Sequence, residues 1–208
     1  MIRPPGFRAV AFETNPRGDA RLDPEARRHV AAALGIASEW AHATQVHGAD
    51  VAVADRPGSV GEADGIVTLL AGLPVVVATA DCVPIAFEAD GAVAVAHAGW
   101  RGVLAGVVEA TIAAMTELGA PPRRAAVGPA IGPCCYEVGP EVLDAFAPHL
   151  GRTTWGTPSV DLPGAVAARL ERAGIPTWRS PRCTRTDPEL ASWRGGDETR
   201  RQVTVAWR

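Results

Sequence analysis

The chain has 208 residues and a mass of 21.6 kDa, and 47% of its residues are hydrophobic, which suffices for one domain with a buried core. Its 20 basic residues are all arginine, and the 23 acidic residues leave a formal net charge of -3, so nothing indicates a nucleic-acid binder or an anionic-membrane binder. The lack of lysine also excludes a Schiff-base enzyme and a Walker P-loop.

The four cysteines indicate free thiols in a reducing compartment. They are Cys82, Cys134, Cys135 and Cys183, and the adjacent pair is a poor basis for a disulfide framework. The longest apolar run, Ile66 to Ala80, is broken by glycine and proline and is shorter than the ~20 residues of a membrane-spanning helix. The N-terminal segment lacks the uninterrupted apolar stretch of a signal peptide. We therefore expect a soluble, cytoplasmic protein.

The first half of the chain predicts one helix among several strands. Phe7 to Glu13 is a weak strand candidate, and Asp23 is a candidate N-cap of a helix that ends at Gly35. Short apolar runs separated by turn residues then predict strands of a largely buried sheet. These runs are Val51 to Ala54, Ile66 to Leu70, Val75 to Ala78, Pro84 to Phe87 and Val93 to Ala96.

The second half is richer in helical periodicity. Gly102 to Leu118 carries an apolar stripe and predicts one long helix. Further candidates are a strand at Ala125 to Val127, helices at Pro140 to Phe146 and Leu162 to Ala173, and a strand at Val203 to Trp207. The elements predict an α/β (α+β) fold: one compact domain over residues 1–208, with a mixed central sheet flanked by helices. Several consecutive strands precede the main helix, so the order does not indicate a Rossmann fold.

Two histidines and one cysteine at predicted strand ends form a candidate metal site. His47, Cys82 and His97 would give a Zn²⁺ ion two imidazoles and one thiolate, with a fourth position open. Their spacing matches no regular ligand motif, so the spacing by itself favours a buried thiol and two hydrogen-bonded histidines over a metal site.

Two charged residues beside these segments are candidates for the chemistry. Asp81 precedes Cys82, and both side chains can face one site only if the strand has ended before them. Asp81 could orient a ligand, transfer a proton, or simply be an aspartate of a turn. Arg101 lies at the start of the predicted long helix, where a guanidinium and backbone N–H groups suit phosphate or a carboxylate. An exposed arginine without a ligand is the alternative.

A glycine- and proline-rich segment, Gly128 to Val138, holds two thiols and the one tyrosine of the chain. Tyr136 could stack on a base or contact a sugar. Cys134 and Cys135 could instead pack beneath the loop, and we favour that interpretation for at least one of them.

Several of these segments resemble the signature blocks of a known family. The blocks are TADCVP at Thr79, HAGWRG at His97 and GPAIGPCCYEV at Gly128, with shorter matches at Gln45 to Ala49 and at Cys183 to Thr184. They are similar, in order, to those of the laccase-domain family, also called the multicopper polyphenol oxidase or peptidoglycan editing factor family. The resemblance departs from the family pattern near the N-terminus, at Gly195 and at Arg200.

The resemblance implies a compact α/β fold with one zinc held by the positions that are His47, Cys82 and His97 here. It implies phosphorolysis of adenosine, inosine and methylthioadenosine, together with deamination of adenosine. The substrates would then be a purine nucleoside and phosphate. Within that interpretation Asp81 and Arg101 are the catalytic candidates, and Gln45, Arg101 and Tyr136 are the substrate-binding candidates, with Trp100 able to flank the base.

The residues also bear on three other functions. A multicopper oxidase needs many imidazoles, whereas this chain has 5 histidines and no His-x-His pair, so we expect copper only as an adventitious substitute for zinc. A hydrolase that edits peptidoglycan precursors, or a non-catalytic factor in cell-wall quality control, remains the alternative. A structural zinc is disfavoured because such sites usually have four protein ligands. With no coiled-coil seam visible, we expect a monomer.

Overall fold

Thirteen β-strands and five α-helices make up the computed structural model, which describes residues 1–208. The strands are β1 (Val10–Phe12), β2 (Ala41–Thr44), β3 (Val51–Val53), β4 (Gly58–Glu62), β5 (Gly65–Thr68), β6 (Val75–Thr79), β7 (Val83–Ala89), β8 (Ala92–Ala98), β9 (Arg124–Val127), β10 (Leu150–Arg152), β11 (Pro158–Val160), β12 (Thr177–Arg179) and β13 (Gln202–Ala206). The helices are α1 (Pro24–Leu34), α2 (Trp100–Ala105), α3 (Val107–Glu117), α4 (Pro140–Ala145) and α5 (Leu162–Arg172), and a 3-10 helix covers Ala147–His149.

The strands divide between two mixed sheets and a small ribbon. The first sheet has the order β1-β13-β6-β2-β4, and the second has the order β12-β9-β7-β8-β5-β3. The strands β10 and β11 pair with each other alone. In both sheets antiparallel pairs such as β7 with β8 are combined with parallel pairs such as β2 with β6. The predicted mixed α/β architecture in one compact domain is confirmed, with two sheets where one was expected.

The two sheets pack face to face, and helices cover their outer faces. Between the sheets, Phe12 and Val77 of the first sheet meet Ile66 and Val95 of the second in one apolar cluster. The outer face of the second sheet packs against α3 and α5, and the outer face of the first packs against α1. Both faces of β7 and β8 are therefore buried, which is why these strands are apolar apart from Glu88 and His97.

The first helix follows from local signals in the sequence. The side chain of Asp23 accepts hydrogen bonds from the backbone N–H groups of Glu25 and Ala26, and Pro24 occupies the first helical turn. Gly35 ends the helix in the left-handed conformation, with φ 71°. The predicted start and end of α1 are confirmed.

The prediction of one helix from Gly102 to Leu118 is wrong, because the chain forms two helices there. Gly106 separates α2 from α3 with φ 93°, and its N–H bonds back to the carbonyl groups of Gly102 and Val103. This backbone conformation is strained for residues with a Cβ, so glycine permits the break.

Several short strands were not predicted. These are β2, β4, β10, β11 and β12, each of three to five residues. Most of them have few fully buried positions, so no alternation of apolar and polar residues marks them. None of the helices combines the length and the apolar character that a membrane crossing requires.

Candidate active site

The three residues proposed as metal ligands lie together at one edge of the two sheets. The nitrogen and sulfur donor atoms of His47, Cys82 and His97 all lie within 4.8 Å of one another. The Sγ of Cys82 is 3.8 Å from the Nε2 of His47, and the two imidazole rings meet edge to face at 4.6 Å. We refer to these three residues as the donor trio.

Strand ends from both sheets bring the donor trio together. His47 lies in the loop after β2 of the first sheet, and His97 lies near the end of β8 of the second sheet. Cys82 occupies the short link that carries the chain from β6 in the first sheet to β7 in the second. Because β6 ends at Thr79 and β7 begins at Val83, Asp81 and Cys82 are both outside a strand and border one cavity.

Asp64, which the sequence analysis missed, organises two members of the donor trio. Its fully buried carboxylate pairs with Nδ1 of His97 at 2.7 Å. It also accepts hydrogen bonds from the backbone N–H groups of Val46, His47 and Gly48 at 3.2, 3.0 and 2.6 Å. These bonds hold the loop of His47, whose φ of 62° is in the left-handed region. The pairing leaves Nε2 of His97 as the nitrogen free to bind a metal.

The donor trio has the electrostatics of a thiolate between two imidazoles. Burial alone would raise the pKa of the Cys82 thiol, but hydrogen bonds from His47 and His97 lower it to about 6. Burial alone would lower the pKa of His97, but Asp64 and Cys82 raise it to about 9. Burial alone would raise the pKa of Asp64, but hydrogen bonds from His97 and from the backbone N–H groups of Gly48 and His47 lower it. The Cys82 sulfur therefore favours the thiolate form, which can bind a metal cation where the neighbouring imidazole proton would otherwise neutralise it.

A glycine supplies the space in which the donor trio meets. A Cβ at Gly99 would lie 2.7 Å from Cδ2 of His47 and 3.1 Å from Sγ of Cys82. Any larger residue would force those side chains to shift. The glycine of the HAGWRG block therefore has a steric role beside the donor trio.

The cavity beside the donor trio has a volume of about 530 Å³. The structure places every other predicted site residue on its wall: Gln45, Asp81, Arg101 and Tyr136. Residues absent from the sequence prediction complete the wall, namely Arg21, Trp193, Arg194 and Arg201. The last three lie beside Gly195 and Arg200, where the sequence departs from the family pattern, so this segment contained a sequence signal for them.

The carboxylate of Asp81 is fully engaged in hydrogen bonds. Oδ1 accepts from the hydroxyl groups of Thr184 and Ser192 at 2.6 and 2.7 Å, and Oδ2 accepts from the backbone N–H of Arg194 at 2.7 Å. Asp81 itself has φ 85°. Asp81 thus connects two segments of the chain: the β6–β7 link, which contains Cys82, and the C-terminal loop, which contains Arg194.

The amide of Gln45 is likewise engaged with the protein. It donates to the carbonyl of Ala78 at 2.8 Å and accepts from the N–H of Ala78 at 2.9 Å, as a neighbouring strand would. Its oxygen also accepts from Arg21 at 3.2 Å. Gln45 therefore closes the end of β6 and fixes one guanidinium at the wall of the cavity.

Three guanidinium groups on the wall lie over aromatic rings. The Cζ atoms of Arg101, Arg194 and Arg201 lie 4.4, 5.4 and 5.4 Å from the ring centroids of Trp100, Tyr136 and Trp193. None of these three guanidiniums forms an ion pair with a carboxylate, and the one carboxylate on the wall is satisfied by other donors. Positive charge is therefore available to an anionic ligand. Burial raises the pKa of Tyr136 to about 12, so its hydroxyl stays protonated at neutral pH.

The remaining histidines are not part of any donor cluster. His29, His42 and His149 belong to α1, β2 and the 3-10 helix, and the structure gathers none of them with other donor side chains. A three-copper centre therefore has no set of imidazoles to bind it.

Known proteins are similar to this chain in sequence. The sequence profile of the family described as multi-copper polyphenol oxidoreductase laccase matches residues 14–208. A purine nucleoside phosphorylase of Streptomyces coelicolor is 41% identical over 220 residues, which span 97% of this chain and 91% of that protein. A purine nucleoside phosphorylase of Deinococcus radiodurans is 41% identical over 186 residues, which span 85% of this chain and 73% of that protein.

Solved structures show the same fold. The crystal structure of YlmD from Geobacillus stearothermophilus superposes with a TM-score of 0.85 at 29% identity, covering 100% of this chain and 97% of that one. YfiH of Bacillus licheniformis also gives a TM-score of 0.85, at 25% identity, over 96% of this chain and 92% of that one.

Proposed function

The chain belongs to the multi-copper polyphenol oxidoreductase laccase family, and from that premise we propose that it is a zinc-dependent purine nucleoside phosphorylase. The observation that carries the proposal is one cavity in which the donor trio, unpaired guanidiniums and aromatic rings meet. Its substrates are phosphate and a purine nucleoside: adenosine, inosine or methylthioadenosine. Relatives at about 40% identity are named for this activity.

We assign the metal to His47, Cys82 and His97. Two imidazoles and one thiolate within 4.8 Å fit zinc with one position left for water or a substrate oxygen. When bound, zinc supplies a Lewis acid that polarises oxygen ligands and favours hydroxide at neutral pH. Asp64 keeps His97 in the tautomer that binds through Nε2, and Gly99 keeps the space clear.

Phosphate binds at the arginines of the cavity wall. Arg101 is the principal candidate, because its guanidinium is exposed and unpaired and borders the same cavity as the donor trio. Arg194 and Arg201 reinforce it from the C-terminal loop. The helix that begins beside Arg101 has six residues, so the guanidiniums supply most of the attraction. Holding phosphate against the ribose lowers the entropic part of the barrier.

The aromatic residues and Gln45 shape the nucleoside site. Tyr136 is buried at the cavity wall and Trp193 is exposed there, so they offer flat faces to a purine. Arg101 lies 4.4 Å from the ring centroid of Trp100, so we assign Trp100 to the support of the phosphate site. Gln45 contributes by holding the end of β6 and Arg21 in place, because its amide is occupied by Ala78.

For Asp81 the geometry favours positioning over the proton transfer that the sequence suggested. Three hydrogen bonds occupy its oxygens, and it fixes the loop of Arg194 against the loop of Cys82. Loss of this carboxylate would therefore disturb the phosphate site and the metal site together.

Deamination of adenosine is a further part of the proposal. A donor set of three side chains leaves a position at which a water molecule can be activated next to a purine. We also propose that the protein acts as a monomer in the cytoplasm, where its four free thiols would stay reduced. Copper would bind the donor trio only adventitiously.

The test is metal content together with product analysis. The protein is purified without added metal, its zinc and copper are quantified, and it is incubated with adenosine or inosine with and without phosphate. We expect about one zinc per chain at the donor trio and ribose 1-phosphate that forms only with phosphate, and inosine from adenosine reports deamination. Cys82→Ser should abolish all products. Arg123→Gln is the control and should leave product formation unchanged, because Arg123 forms an exposed ion pair with Asp90 and does not line the cavity.

The outcome that contradicts the proposal is equally definite. Metal-loaded, folded protein that leaves adenosine, inosine and methylthioadenosine untouched would remove the nucleoside assignment. Peptidoglycan precursors would then be the next substrates to assay, since their hydrolysis could use the same donor trio.

A further inference from the structure

A second group of metal-binding side chains lies outside the candidate active site. The sulfur atoms of Cys134, Cys135 and Cys183 all lie within 4.8 Å of one another, and we call these residues the thiol trio. Cys134 and Cys183 border a different cavity, of about 410 Å³, that shares no residue with the cavity of the donor trio. All three are free cysteines. The proposed phosphorylase chemistry uses none of them.

Two loops from distant parts of the sequence create the thiol trio. Cys134 and Cys135 lie in a turn after β9, and Cys183 lies in the loop after β12. A bridge between Ala130 and Cys183 joins the loops, with the N–H of Thr184 bound to the carbonyl of Ala130 at 3.0 Å. The cysteines therefore meet because β9 and β12 are parallel neighbours, and not because they are close in sequence.

The backbone around Cys183 is arranged to support a thiolate. The N–H of Gly132 donates to Sγ of Cys183 at 3.2 Å. A Cβ on Gly132 would lie 3.4 Å from Sγ of Cys134 and 3.7 Å from Sγ of Cys183, so glycine leaves the sulfurs uncovered on that side. An N–H donor on sulfur stabilises negative charge there, as ligation requires.

The thiol trio is also accessible. Cys134 and Cys183 are half-buried and border the open cavity, while Cys135 is 3% exposed and closes the site from beneath. The two arginines on the cavity wall already hold carboxylates: Arg179 pairs with Asp161, and Arg182 pairs with Asp187. A small cation can therefore reach the sulfurs from solvent.

We propose that the thiol trio binds one cuprous ion. The donor set is sulfur only, and soft thiolates select Cu(I) or zinc. Structural zinc sites take four protein ligands, whereas here three sulfurs meet without a histidine or carboxylate in the cluster. Three soft donors suit a trigonal cuprous ion. Each ligating thiol releases its proton to solvent and the copper stays in the +1 state, so binding needs no oxidant.

The experiment titrates Cu(I) into reduced protein under anaerobic conditions against a Cu(I) chelator of known affinity. The protein is first loaded with one equivalent of zinc. We expect the wild type to retain one equivalent of Cu(I), and Cys82→Ser, which removes the donor trio, to retain it as well. Cys134→Ser and Cys183→Ser should each weaken binding at least about 100-fold, since each removes one of three ligands. X-ray absorption of the copper complex should show three sulfur neighbours.

A measurement on the wild type keeps the test valid if a variant fails to fold. Alkylation followed by peptide mass spectrometry should show that Cu(I) protects Cys134 and Cys183 from modification. The proposal is overturned if the chelator removes all copper from the wild type. It is also overturned if both serine variants hold copper as tightly as the wild type, or if excess zinc displaces Cu(I) from the thiol trio. None of these outcomes bears on phosphorolysis at the other cavity.

Discussion

Replacing Asp64 by asparagine tests the link between the buried carboxylate and the donor trio. The substitution keeps the shape of the side chain but exchanges one acceptor oxygen for an NH₂ donor. If the amide oxygen takes the Oδ2 position, it serves Val46 and Gly48, while the NH₂ faces Nδ1 of His97 and favours the wrong tautomer. If it takes the Oδ1 position, the tautomer is correct, but the N–H of Gly48 faces another donor.

Either orientation has a cost that can be worked out from these contacts. One charge-assisted hydrogen bond contributes about 1.5–3 kcal/mol, and each buried donor left unsatisfied costs about 1–3 kcal/mol. We therefore expect Asp64→Asn to lower the free energy of unfolding by roughly 3 kcal/mol, or about 6–12 °C in Tm for a chain of this size. Zinc affinity should fall about 10–100-fold, because the partner of a metal-binding histidine is lost.

The assay has two parts and a matched control. Thermal unfolding of the metal-free protein at neutral pH measures stability, and competition with a chromophoric chelator measures zinc affinity. Asp55→Asn is the control, since Asp55 is 78% exposed and pairs only with its neighbour Arg56. The reasoning is refuted if Asp64→Asn matches the control in both Tm and zinc affinity.

Three further substitutions probe separate features. Gly99→Ala should weaken zinc binding about 10–100-fold, since the added methyl group crowds the donor trio at a cost of about 1–3 kcal/mol. Gly139→Ala is the control and should leave the zinc titration unchanged, because no atom lies within 4 Å of a Cβ at that position. Arg101→Gln should raise the KM for phosphate about 10–100-fold in steady-state assays, through loss of one charge-assisted contact, with Arg123→Gln as the unaffected control. Glu13→Gln should stabilise the protein at pH 8 by up to roughly 3 kcal/mol in denaturant titrations, because it removes a buried charge.

The sign of the Glu13 effect follows from its burial. The side chain is 4% exposed, and burial raises its pKa from 4.5 to about 7 against the opposing hydrogen bond from the N–H of Val203. Between those pH values the folded chain binds more protons than the unfolded chain, so stability falls as the pH rises from 4.5 to 7. Glutamine keeps an acceptor for Val203 and does not titrate. An unchanged slope of stability against pH in this window for Glu13→Gln would contradict the assignment.

Local signals made much of the chain predictable. The cap at Asp23 and the stop at Gly35 act within a few residues, so the ends of α1 could be predicted from the sequence. The apolar runs of β6, β7 and β8 are continuous because each strand is buried on both faces. In contrast, the break at Gly106 could not be distinguished from a glycine tolerated inside one helix, because the apolar stripe continues through it.

The candidate site divides in the same way. The sequence by itself determined which donor types were available: two histidines and a cysteine beside glycines, arginine as the one basic residue type, and too few imidazoles for a multicopper centre. It also left Cys82 between two predicted strands, Val75 to Ala78 and Pro84 to Phe87. These are properties of residue type and near neighbours, which a sequence states directly.

Only the tertiary structure decided which of those groups meet and which are already occupied. Asp64 reaches His97 across 33 residues of sequence, and Asp81 is bound by Thr184 and Ser192 across 103 and 111 residues. Cys183 joins Cys134 and Cys135 across about 50 residues. The pairing of strands across two packed sheets sets these distances, and that pairing depends on the whole core being buried at once. No local pattern of residues contains that information.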